Sequence, residues 1–151
     1  MARNNFSFTT LSAFALAPAT IKTILEFTAG TGIIAAITGA TVTFDGTSNS
    51  AVPVIVQIVR VSGTAATGTA RNPLKTKDTT VALLSTGKEN CTVEPGTIGD
   101  IMETFHIHPQ AGVVYQLPIR DEVEVPSTAR LALRITAPAA VNVLAKLSGE
   151  E

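Results

Sequence analysis

The chain has 151 residues, 45% of them hydrophobic and 15% charged, with 11 basic against 12 acidic side chains for a net charge of -1. That is one domain's worth of sequence, long enough to bury a core without help from a metal or a disulfide. Near-neutral charge excludes the electrostatic footprint of a nucleic-acid or anionic-lipid binder; no apolar run approaches the ~20 residues of a membrane span; and the single cysteine, Cys91, excludes an intramolecular disulfide and a thiolate metal cluster.

The N-terminal stretch "MARNNFSFTTLSAFALAPAT" carries Arg3 and an Ala-rich end like a secretory signal. Asn4, Asn5, Ser7, Thr9 and Thr10 interrupt the place where a continuous apolar segment should begin, which argues against one. Phe6, Phe8 and Leu11 are separated by polar residues, Phe14 follows, and Pro18 ends the run. The stretch reads as an extended arm over residues 1–18, followed by a folded domain over 19–151.

Beyond the arm, Val, Ile and Thr are abundant, Gly and Pro punctuate at short intervals, and no amphipathic window is long enough for a helix. "TIKTILEFTA" (20–29) puts Ile21, Leu25 and Phe27 on one face and Lys22 and Glu26 on the other. "IIAAITGATVTF" (33–44) resumes after Gly30 and Gly32 and ends at the turn "DGTSNS". "VPVIVQIVRV" (52–61) is apolar and β-branched almost throughout, the pattern of a central strand covered on both faces, or on one face by a second subunit. Residues 62–80, "SGTAATGTARNPLKTKDTT", form a small-residue loop without periodicity, the best candidate for contact with a partner.

Further short strands are expected at 81–84, 91–94, 101–108, 113–117 and 122–125, separated by "STGK", "PGTIGD", "PQAG" and "PIRD". "RLALRIT" (130–136) and "VNVLAKL" (141–147) alternate most clearly, with "APAA" between them. Eight to ten short strands at near-regular spacing predict an all-β fold, an antiparallel β-sandwich of jelly-roll type with an extended N-terminal arm.

That fold prompts a search for cupin-like metal chemistry. His106 and His108 are the only two histidines, and Pro109-Gln110-Ala111-Gly112 stands where an acidic ligand should follow. Glu103 falls on the opposite strand face and no third histidine exists, so a cupin-like metalloenzyme is the weakest reading. No nucleophile elbow, phosphate-cradling glycine loop or triad context is present, and "GTAATG" (63–68) lacks a following Lys-Ser/Thr. Cys91 reads as a small apolar side chain, the Asp121-Glu122-Glu124 and Glu150-Glu151 carboxylates as a solvated edge and tail, and Arg130 and Arg134 as an outer face kept in water. The expectation is of no enzyme, no cofactor, no metal, no nucleic acid, no membrane and no small-molecule substrate.

Three stretches together, "TFDGTSNSAVPVIVQIVR" (43–60), "IMETFHIHPQAGVVYQLP" (101–118) and "ARLALRITAPAAVNVLAKLSGEE" (129–151), resemble a family of small structural proteins of tailed bacteriophages. The resemblance spans about the last three-quarters of the chain. Its motifs are a tight turn at Phe44-Asp45-Gly46, a His-Pro-Gln-x-Gly turn from His108 to Gly112, and a C-terminal hairpin around Thr136 to Ala139. The aromatic usual near the family's C-terminus is absent, "KLSGEE" standing in its place. The resemblance implies a virion component, a capsid decoration or cement protein that binds the major capsid protein as a homotrimer on the capsid surface after synthesis in the host cytoplasm. Phe6, Phe8, Leu11 and Phe14 of the arm, with Val54, Val56 and Ile58 of the apolar strand, are the expected capsid or subunit contacts. A receptor-binding or head-fibre module of the same fold is the rival expectation.

Overall fold

The computed structural model describes residues 4–45, 52–77, 81–118 and 120–151. Positions 46–51, which hold most of the expected "DGTSNS" turn, lie outside the described residues, as do 1–3, 78–80 and Ile119. The described chain is all-β, two antiparallel sheets packed face to face.

One sheet contains β1 (Asn5–Thr9), β2 (Phe14–Leu16), β4 (Ala35–Phe44), β7 (Leu74–Lys75), β10 (Gly112–Gln116), β11 (Val123–Val125) and β13 (Val141–Glu150). Its main path runs β10-β4-β13-β1-β7, with β11 also on β4 and β2 also on β13. The other sheet runs β6-β8-β3-β12-β5-β9, where β3 is Ile21–Thr28, β5 Val54–Ser62, β6 Thr67–Ala70, β8 Thr86–Val93, β9 Thr97–Ile107 and β12 Arg130–Thr136. The partners nest along the chain: β1 with β13, β3 with β12, β4 with β10, β5 with β9.

The period-two pattern explains the core. Leu131, Leu133 and Ile135 of β12 and Val141, Val143, Ala145 and Leu147 of β13 point between the sheets, all buried, as the alternation predicts. Beside β12 in its own sheet, and across the core from β13, sit Leu25 and Phe27 of β3 and Val54, Val56 and Ile58 of β5.

The arm is inside this core. β1 pairs with β13 from Asn5↔Glu150 to Thr9↔Lys146 and with β7 on its other side, and β2 pairs with β13 as well. Phe6 and Phe8 are 1% and 0% exposed, and the Phe6 ring stacks on Phe27 at 5.1 Å between centroids. Alternation of Phe6 and Phe8 with polar residues is equally the mark of a half-buried strand, and burying two phenylalanines at about 2–3 kcal/mol each favours the sheet over solvent.

Strand β5 corrects a second expectation. Val54, Val56 and Ile58 face the core at 0% exposure, so they are not subunit contacts. Its outward residues Val59 and Val61 form a separate small cluster with Ala132, against which Ile98 packs. The second cover for this apolar strand therefore comes from the chain itself.

The 62–80 region also differs from a plain loop, since it contributes β6 and β7. β8 occupies 86–93, across the expected turn "STGK", because Gly87 lets the Phe8 ring close over it and Asn90 takes a left-handed φ of 48° that accommodates a bulge against β6. Residues 81–84, expected as a strand, are irregular. β9 begins at Thr97, inside the expected turn "PGTIGD".

Candidate functional site

A cleft of about 680 Å³ opens where the two sheets part company. β5 contributes Arg60, β9 contributes Met102 and Glu103, and the segment from Arg120 to Glu124 forms the opposite wall. Arg60 comes after the core-facing Val54, Val56 and Ile58, so it occupies the inward position at the end of the sandwich where the core gives way to water. Two arginines, Arg60 and Arg120, and four acidic residues, Glu103, Asp121, Glu122 and Glu124, line the cleft, a formal side-chain charge of -2. Arg120 has a φ of 82°, which is unusual for a residue with a side chain, and its backbone N–H donates to Glu122 Oε2 at 2.9 Å.

Beside the cleft, Glu103 and Tyr115 join the two sheets: the Tyr115 hydroxyl donates to Glu103 Oε1 at 2.8 Å, and the Tyr115 ring packs tilted on Phe105 at 4.6 Å. Loss of hydration pushes the Tyr115 phenol up to about 12, assisted by the hydrogen bond and charge of Glu103 and by the charge of Asp121.

The histidines lie elsewhere. His106 and His108 are exposed, on the face of β9 opposite Glu103 and just past its end. The Ala111 N–H donates to the His108 carbonyl at 2.8 Å and the Gln110 N–H to His108 Nδ1 at 3.2 Å, so His-Pro-Gln-Ala-Gly is the turn joining β9 to β10. Among the described residues no three His, Cys, Asp or Glu side chains are grouped to hold a metal ion.

Arg130 and Arg134, read as solvated, instead hold acids of this chain: Arg130 lies 3.4 Å from Glu26 and Arg134 lies 3.2 Å from Glu94. Glu26 is 1% exposed and also accepts from the Ala66 N–H at 3.0 Å, while Lys88 Nζ donates to the Ala66 carbonyl at 2.6 Å and Arg130 to that of Gly63 at 2.5 Å. These four bonds strap the chain after β5 onto the outer face of its sheet. Cys91 is buried nearby, and burial, with the charges of Glu26 and Glu94, pushes its thiol up to about 12, which favours the protonated thiol at neutral pH.

The terminal acids are not a free tail either. β13 continues to Glu150, and the Glu151 side chain accepts from the N–H groups of Leu84 and Ser85 at 2.7 and 3.1 Å and from the Ser85 hydroxyl at 2.5 Å.

Of the expected contact residues, only Leu11, 72% exposed, and the half-buried Phe14 reach the surface; Phe6, Phe8, Val54, Val56 and Ile58 are occupied in the core. The cleft itself escaped the sequence reading. Its one signal was a lone Arg60 ending an apolar run and an acidic "DEVE" opposite, which become neighbours only through the fold. No family model, no curated protein and no solved structure matches the chain.

Proposed function

We propose that the protein is a structural component of a tailed-bacteriophage virion, a capsid decoration (cement) protein that binds the major capsid protein as a homotrimer and stabilises the shell. The observation that carries this reading is the nested pairing of β1 with β13, β3 with β12, β4 with β10 and β5 with β9, split alternately between two sheets. It supports reading the sandwich as a jelly roll, an architecture used repeatedly in viral capsids. Fold does not fix role. The reading joins the fold to the resemblance of residues 43–60, 101–118 and 129–151 to phage structural proteins.

The physical argument is that a cement protein works by adhesion between neighbours and needs a stiff body. Here the stiffness comes from a core that takes in even the N-terminal phenylalanines. The contact residues we retain are Leu11 and Phe14, joined by Leu144 and Val114 on the outer face of the β13 sheet, 44% and 79% exposed. On this reading the protein has no catalytic residues and takes no cofactor. The polar cleft favours a second reading, a receptor-binding or head-fibre module, because a concave charged site suits a ligand better than a flat shell.

Electron cryomicroscopy of particles purified from cells that make this chain separates these readings. The decoration reading expects sandwich-shaped density in threes on the shell surface. Density confined to a fibre or the tail would favour the second reading, and particles lacking the chain altogether would contradict both.

A further inference from the structure

Edge strands are where a β-sheet is exposed to unwanted pairing, and folded proteins usually keep them short. The edges β2, β6, β7, β10 and β11 obey that rule, with two to five residues each. β9 does not. It has 11 residues, its only strand partner among the described residues is β5, and no backbone group on its free side is bonded among those residues. It contains neither lysine nor proline, the residues that most often blunt an edge, and Ile101 stands 54% exposed on it. Irregular pairing with β5 is confined to its first half; from Glu103 to Ile107 the register is regular and fit to extend.

We propose that the free edge of β9 is a docking site for one extended segment of another protein, which adds a strand along Glu103–Ile107 and places a lysine or arginine side chain in the adjoining cleft. Main-chain hydrogen bonds to the edge supply affinity, and a side-chain pocket beside the strand supplies selection. Met102 and Glu103 belong to both the strand and the cleft, so an added strand passes the cleft mouth. The net charge of -2 there selects a cation. The same charge argues against a second copy as the occupant: pairing β9 with its own equivalent would bring two acidic clefts together, and β9 offers no lysine or arginine to neutralise them. The inference goes beyond the shell reading and stands without it, since it depends only on the edge and the cleft.

Two labelled decapeptides of alternating threonine and valine, one with lysine at its centre and the other with glutamate, provide the probes. Fluorescence anisotropy with the intact protein is expected to show the lysine peptide binding roughly tenfold more tightly, a preference that shrinks in an Asp121→Lys/Glu124→Lys variant. Hydrogen exchange is expected to slow at alternate amides of 103–107 in the complex and to stay unchanged on β3 and β12, which controls for folding. Equal binding of the two peptides, no binding at millimolar concentration, protection at β6 or β10 instead, or a β9-protected homodimer without peptide would each overturn the proposal. No capsid is present in the assay, so its failure leaves the shell reading standing and its success does not depend on it.

Discussion

The ring of Phe6 lies directly over Gly149, so close that a β-carbon on that glycine would stand 2.6 Å from Phe6 Cζ and 2.5 Å from the Ala36 carbonyl oxygen. Phe8 is seated over Gly87 in the same way. The two glycines are floors for the two aromatic plugs of β1. Gly149→Ala and Gly87→Ala are therefore expected to lower stability by about 1–3 kcal/mol each, because the added methyl meets backbone as well as ring and neither can move away. Thermal unfolding checks this, and an unchanged midpoint for both variants would show that β1 is not held as described.

Removal of residues 2–17 follows the same logic. The sequence reading, which placed these residues in an arm, expects a folded sandwich to remain. The structure predicts the opposite, since the deletion takes away Phe6, Phe8 and Leu16, all buried. Losing a buried phenylalanine costs about 3–5 kcal/mol, and two such losses alone approach a typical domain's whole stability. Far-UV circular dichroism and limited proteolysis are expected to report a chain without cooperative unfolding; a sharp melt would restore the arm.

The strap after β5 rests on a buried carboxylate. With Arg130 replaced by Met, Glu26 keeps the Ala66 N–H but loses its cation, and an uncompensated buried charge costs about 3 kcal/mol. Arg130→Met is thus expected to destabilise more than the double variant Glu26→Gln/Arg130→Met, in which no charge is stranded. Chemical denaturation of the three proteins tests the ordering, and equal losses in single and double variants would mean that the pair carries no coupling.

Tyr115 is the only tyrosine and the chain has no tryptophan, so its ionisation can be followed directly by ultraviolet absorbance. The titration midpoint is expected near 12, above the ordinary value of about 10, and to fall toward the ordinary value in Glu103→Gln. The sign for stability is set by the raised folded-state value: the contribution of this contact is whole below the unfolded phenol's pKa and is lost as pH rises through the folded one. A midpoint that does not respond to Glu103→Gln would remove the bond between the sheets.

How far the chain could be read in advance depended on whether a residue's partner was its own strand pattern or something distant. β12 and β13 alternate so regularly that their faces were legible residue by residue. β8 was not, because "TGKENCTV" has little apolar alternation; it is a strand because β3 pairs with it and because Glu89, turned inward, accepts the Leu11 N–H at 2.8 Å. The arm was legible as extended backbone but not as core, since nothing in Phe6 and Phe8 says which surface will cover them. Arg130, Arg134 and Glu151 look solvent-bound in sequence for the same reason: their partners lie 40 to 104 residues away. The cleft needed Arg60 and Glu124 to be brought together from opposite sheets, which no local pattern records.

The most direct test of the shell-stabilising role compares heat-induced genome release from particles assembled with and without this protein. The account predicts that particles lacking it open at a lower temperature and that adding back the purified protein restores the original one. Identical release temperatures, in particles shown by electrophoresis to differ only in this chain, would contradict it.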